Sequence, residues 1–220
     1  MAYIIGVDIG TSSAKVIAVM EDGSVKAHCQ QEYTIQQPQA GYSEQDPASI
    51  LAAVKNGIRS VATLMREAPA AVSFSSAMHS VMMMSEQGSA MTPLIIWADN
   101  RSEAVADKLR GTSQGKRIYQ QTGTPIHAMS PLCKIMWWKE NEPVLFKQAA
   151  CFIGIKEYIF YHFFAKYITD HSIASATGLF NIHELRWNAD SLAIAGITER
   201  QLPEAVSSDT IITGLDPAIA

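Results

Sequence analysis

Asp8-Ile9-Gly10-Thr11-Ser12-Ser13-Ala14-Lys15 lies between two short apolar runs, residues 3–7 and 14–20, and its reading decides the fold. Isoleucine and valine recur in both runs, and glycine and hydroxyl residues separate them, so the spacing predicts a β-hairpin at the start of the chain. A second turn signal, Glu21-Asp22-Gly23-Ser24, predicts that residues 25–35 return as a third, edge-like strand, completing an antiparallel meander. The first turn combines a carboxylate, a glycine that lets a ligand approach the backbone, three hydroxyls and a cation. Together these groups can hold Mg²⁺ and polyphosphate. The candidates are Asp8, Gly10, Thr11, Ser12, Ser13 and Lys15. The GxxxxGK[ST] spacing is absent and the following segment is β-rich, which excludes a Walker loop, and the Rossmann fingerprint fails on the same two counts. A hairpin of purely structural purpose draws on the same residue types.

Outward from the hairpin, the composition narrows the class. The 220 residues are 48% apolar and suit a packed domain. A formal charge of -4 provides no broad basic field for nucleic acid, which favours a small-molecule partner. Cys29, Cys133 and Cys151 are widely separated, odd in number and free of CxxC spacing, so neither a disulfide framework nor a zinc site is encoded. No apolar run is long enough to span a bilayer and the N-terminus lacks a secretory pattern. A cytoplasmic protein with no membrane partner is expected.

Residues 36–47 are polar and interrupted by Pro38, Gly41 and Pro47, which predicts a loop. Asp46-Pro47 then supplies an N-cap with proline at the first helical position. Ile50, Leu51, Val54, Ile58, Val61 and Leu64 form one apolar stripe of a helix running to about Arg66. Short strands are expected at 72–76 and 81–84, and helices at 102–109, 116–122, 132–141 and 155–164, with short helical turns after His171. Tyr158, Phe160, Tyr161, Phe163 and Phe164 read as core. With no repeat, low-complexity tract or linker, residues 1–220 read as one domain.

Ser75-Ser76-Ala77-Met78-His79-Ser80 follows a strand. His79 can exchange a hydrogen bond with a hydroxyl, and Met78 can pack against carbon, two surfaces that a sugar presents together. Taken alone, a histidine there is more often structural. In Ile96-Trp97-Ala98-Asp99-Asn100-Arg101-Ser102, Trp97 can floor a pocket and Asp99 can accept from a hydroxyl. Alternatively, Asp99 caps the following helix while Arg101 pairs with a buried acid.

The wording G-x-D-I-G-T-S-S-x-K of the hairpin resembles the FGGY carbohydrate kinases, a group within the actin, hexokinase and heat-shock ATPase superfamily. Ala77-Met78-His79 resembles the family's sugar-site element, Trp97-Ala98-Asp99-Asn100-Arg101 its W-x-D-x-R element, and Thr169-Asp170-His171-Ser172 its T-D-x-S segment, all in family order from about residue 3 to 215. Gly123-Thr124-Pro125-Ile126-His127-Ala128-Met129, with the SAMHS and WADNRS stretches, looks like the gluconate kinase branch rather than the xylulose branch.

The resemblance implies an α/β, actin-like (ribonuclease H-like) domain, its mixed sheet opened by antiparallel strands and flanked by helices. It implies ATP and Mg²⁺ as cofactors, with Asp8 organising the metal, and D-gluconate phosphorylated to 6-phosphogluconate. Met78, His79, Trp97, Asp99, Arg101 and His127 would bind substrate, with His127, Arg101 or Lys134 meeting the carboxylate. Lys134 also reads as a solvated helix residue, and Asp170 and Ser172 as a helix cap. A xylulose or other ketose or polyol kinase is the competing enzyme, and a non-catalytic actin-like nucleotide-binding module the competing class. The family's catalytic aspartate and nucleotide domain are expected beyond Ala220, so no catalytic base is expected here and the chain alone should have little activity. A homodimer is the assembly that the resemblance suggests.

Overall fold

A computed structural model describes residues 2–216, so the chain end at Ala220 lies outside the described residues. These residues divide into two compact units, one built from the chain up to Ile35 with Asp46–Ala77, the other from Gln36–Gln45 with Met78 onward.

In the first unit, β1 (Tyr3–Ile9), β2 (Ser13–Met20) and β3 (Val25–Glu32) form the expected meander, and β5 (Ala71–Ser76) pairs parallel with β1. The sheet order is β3-β2-β1-β5. The third strand stops at Glu32, short of the expected residue 35. Helix α1 (Pro47–Met65) makes the crossover between β3 and β5. Asp46 caps it by accepting from the Ala48 and Ser49 N–H groups, and Arg66 ends it in the left-handed region at φ 62°. Alternate residues of β1 (Tyr3, Ile5, Val7, Ile9) and of β2 (Ala14, Val16, Ala18) are buried, as are Ile50, Leu51, Val54 and Val61 of α1. The stripe ends there, because Leu64 is 65% exposed.

Gly57 lets α1 approach the sheet closely: a Cβ there would lie 2.7 Å from the Val16 Cγ2. Gly57→Ala is therefore expected to destabilise, although alanine improves helix propensity by about 1 kcal/mol, because the branched Val16 has little freedom to withdraw. Urea unfolding of G57A and of G57A with Val16→Ala measures this. Partial recovery in the double variant is the expected result.

The second unit contains what sequence pattern missed. Residues 36–47 are not wholly loop: β4 (Glu44–Gln45) pairs with β7 (Leu94–Ile95), while β6 (Met82–Met84) pairs with β8 (Cys151–Ile153). Helices α2 (Glu103–Arg110), α3 (Ser113–Thr122), α4 (Pro131–Asn141) and α6 (Ile155–Phe164) lie where expected, with a short α5 (Pro143–Gln148) after the Glu-Pro break. Strand β9 (Ile168–Asp170) leads into α7 (His171–Ser175), which Asp170 caps by accepting from the Ser172 and Ile173 N–H groups. Asp170 also pairs with Lys156. Buried residues on α4 include Leu132, Cys133, Lys134, Ile135 and Trp138, so this helix runs through the core rather than along a surface. Tyr158, Phe160 and Phe163 are buried, whereas Tyr161 and Phe164 are only half-buried.

Candidate functional site

The β1–β2 register places Asp8 directly opposite Lys15, and both side chains are exposed. The turn between them closes through Gly10 N–H donating to the Ser13 carbonyl at 3.0 Å. A Cβ on residue 10 would sit 3.2 Å from that carbonyl oxygen, so the bare glycine keeps the closure tight. Ser12 is exposed, Thr11 half-buried, and Ser13 buried within the turn.

Tyr33, which carries no motif, braces this turn twice: its backbone N–H donates to the Ser12 carbonyl at 3.1 Å and its hydroxyl to the Gly10 carbonyl at 2.6 Å. Burial, and then the charge of Asp8, push the Tyr33 pKa upward, so the phenol keeps its proton and remains a donor.

In the second unit, His79 has φ 65°, a left-handed conformation uncommon for a residue with a side chain. Its Nδ1 lies 2.7 Å from the Ala176 carbonyl. A carbonyl only accepts, so Nδ1 carries the proton. Burial first, and then the nearby Lys134 ammonium, lower the His79 pKa, with the Ala176 bond acting against them. The ring is therefore neutral near pH 7 and presents Nε2 as an acceptor. Met78 is 38% exposed and Trp97 48%. His127 is also exposed, and its Nδ1 accepts from the Met129 N–H at 3.1 Å, which makes Nε2 the ring nitrogen that donates.

Asp99 and Arg101 are arranged otherwise. Asp99 is 0% exposed, and its two oxygens accept from the Ser43 N–H, the Arg101 N–H and two guanidinium nitrogens of Arg101. Arg101 also pairs with Glu44 and stacks over the Tyr42 ring at 3.8 Å. Asp99 does not cap the following helix: Ser102 stands at the N-cap position of α2. In this structure the Asp99 carboxylate has no solvent exposure and is committed to Arg101 and the Ser43 N–H.

Lys134 is neither solvated nor available to a carboxylate. It is 0% exposed, and its ammonium donates to the His79 and Ile96 carbonyls, each at 2.7 Å. Burial lowers its pKa to about 7, against the opposing pull of Asp99. No cluster of three or more metal-ligating side chains occurs among the described residues, and no helix among them is long and apolar enough to cross a membrane.

Residues 3–220 match the family model described as the FGGY family of carbohydrate kinases, N-terminal domain. The chain belongs to that family. The FGGY fold is actin-like, and the mixed sheet with its antiparallel opening and flanking helices is this chain's version of it. A gluconokinase of Bacillus licheniformis is 42% identical over 223 residues, covering 100% of this chain and 43% of the relative. A solved gluconate kinase from Lactobacillus acidophilus superimposes with a TM-score of 0.96 at 32% identity, over 99% of this chain and 44% of that one. A xylulose kinase from Lactobacillus acidophilus gives 0.97 at 32% identity, over 100% of this chain and 45% of that one. This FGGY chain thus spans under half the length of such relatives.

Proposed function

We propose that the protein to which this FGGY domain belongs transfers the γ-phosphoryl group of ATP to the terminal hydroxyl of D-gluconate, giving 6-phosphogluconate. The observation that carries the acceptor class is His79, a neutral imidazole with Nε2 left to accept, in a sequence that also exposes Met78 and Trp97. A polyol chain offers hydroxyl donors and C–H surfaces to such groups. Of the three candidates for the carboxylate, Arg101 and Lys134 are held in buried bonds, which leaves His127, whose Nε2–H can donate. The 42% identity to a gluconokinase favours the sugar acid, whereas likeness of fold extends equally to a xylulose kinase.

The hairpin suits a nucleotide phosphate and Mg²⁺: Asp8 supplies an exposed oxygen ligand for a hard cation, Lys15 a facing charge, and Ser12 an exposed hydroxyl. Bound there, Mg²⁺ would neutralise charge that develops on the transferred phosphoryl group. Lys15 and the turn hydroxyls orient the phosphates, and Tyr33 keeps the turn in shape. Removal of the acceptor proton and binding of the adenine fall, in this proposal, to the part of the longer enzyme that these residues do not include, and the setting is the cytoplasm.

Coupled ADP-release assays on the full-length enzyme with gluconate, xylulose, ribulose and glycerol test the reading. Gluconate is expected to show kcat/KM at least about tenfold above the others, a difference of about 1.4 kcal/mol in transition-state binding. Preference for a neutral ketose or polyol overturns it.

A further inference from the structure

We propose that Lys134 is a positioning residue for the sugar acceptor: its ammonium ties the loop that carries His79 to the loop that carries Trp97, and so sets the spacing between the polar and the apolar contacts of the acceptor site. The inference rests on the kinase reading above, but not on gluconate being the acceptor.

The bonds themselves point this way. One N–H donates to the carbonyl of His79 itself, the other to the carbonyl of Ile96, whose peptide leads directly into Trp97. His79 is therefore held at both ends, its carbonyl by Lys134 and its ring by the Ala176 carbonyl. The next carbonyl along, Thr177, accepts from the Leu132 N–H in the first turn of α4. Both anchors of His79 thus return to the same helix. A left-handed histidine is strained, and strain of this kind persists where the surroundings over-determine it.

An apolar side chain would fill the same core position without a desolvated charge. The lowered pKa of Lys134 reports the cost of putting an ammonium there. What the ammonium adds over a methionine is the pair of carbonyl bonds, and those carbonyls belong to the loops of the two aromatic residues proposed to meet the sugar. Neither bond involves the phosphate hairpin. Acceptor binding should therefore depend on Lys134 and nucleotide binding should not.

The test uses the full-length enzyme and whichever acceptor it turns over in the panel above, so that failure of the gluconate reading leaves this inference intact. Lys134→Met is expected to raise the acceptor KM by about tenfold or more while the ATP KM stays within about twofold, the signature of lost ground-state positioning. KM is independent of the fraction of enzyme that is folded, so a general structural role would not produce this split. An unchanged acceptor KM, or equal shifts in both constants, overturns the proposal.

A second measurement needs no variant. Lys134 is fully buried, so its amine can react only when the two loops open, and an acceptor bound between them should stabilise the closed arrangement and slow that opening. Acylation of Lys134 by a small amine-reactive acylating agent, followed by peptide mass spectrometry with the exposed Lys108 as control, should slow about tenfold at saturating acceptor. ATP alone should leave it unchanged. A rate at Lys134 that is indifferent to the acceptor also overturns the proposal.

Discussion

Asp99→Asn is expected to lower stability by about 3–5 kcal/mol, the range for removing one partner of a buried ion pair. Lys134, Arg101, Asp99 and Glu44 form a cluster of two cations and two anions with little exposure, Glu44 being the most open at 13%. Asparagine preserves the shape and can still accept from the Ser43 N–H, but its amide nitrogen turns a donor toward the guanidinium, and two buried cations then share one anion. Urea unfolding at pH 6, where Lys134 is mostly protonated, should show the full loss.

The pH dependence has a definite sign. The folded pKa of Lys134, about 7, lies below its ordinary value of 10.5, and Asp99 is the charge that holds it up. Between the two values the unfolded chain binds more protons, so stability rises with pH over that window. In the Asp99→Asn variant the folded value falls further, and recovery should begin at lower pH than in the parent. Adding Lys134→Met to Asp99→Asn restores charge balance, so the pair should be less damaging than the sum of the singles by about 0.5–3 kcal/mol. A loss below about 1 kcal/mol for Asp99→Asn would show that the four groups are not energetically coupled.

Most of the first unit was legible because its signals are local. Asp46-Pro47 announces a helix start, and the β1–β2 turn lies between two short apolar runs. Two- and three-residue strands such as β4, β7 and β8 escaped because pairing that short leaves no period to detect. Tyr33 escaped for a subtler reason. The β2–β3 register pairs Val19 with Val25 near the turn but Ser13 with Glu32 farther on, because the ladder shifts at Ala18/Val19. Extended unshifted from the turn, the register would set Glu32, not Tyr33, against Ser12.

The proposed acceptor residues were readable as motifs but not as roles. Whether Asp99 faces a ligand or a guanidinium depends on Glu44 and Ser43, more than fifty positions earlier in the chain. Lys134 looked like the polar side of an amphipathic helix. Because α4 is buried on most of its circumference, no polar side exists at that position, and only long-range contacts tell a core lysine from a surface one.

Asp8→Asn in the full-length enzyme is expected to lower kcat by about 10²–10³-fold, with little change in acceptor KM or in stability. Asp8 is exposed on the sheet, faces Lys15 across the hairpin, and lies close enough to Tyr33 for its charge to raise that phenol's pKa. An isosteric amide at an exposed position leaves β1 with its pairing to β2 and β5 intact, so the fold gives no reason for a large effect. The only large consequence is the loss of a negative oxygen ligand where the hairpin is proposed to meet Mg²⁺ and the nucleotide phosphates. Two readouts separate this from a general loss of order: the thermal midpoint should match the parent, and raising the Mg²⁺ concentration should recover part of the rate. A kcat within about threefold of the parent, or a rate indifferent to Mg²⁺, would remove Asp8 from the phosphoryl-transfer step and leave the hairpin as a turn held by Tyr33.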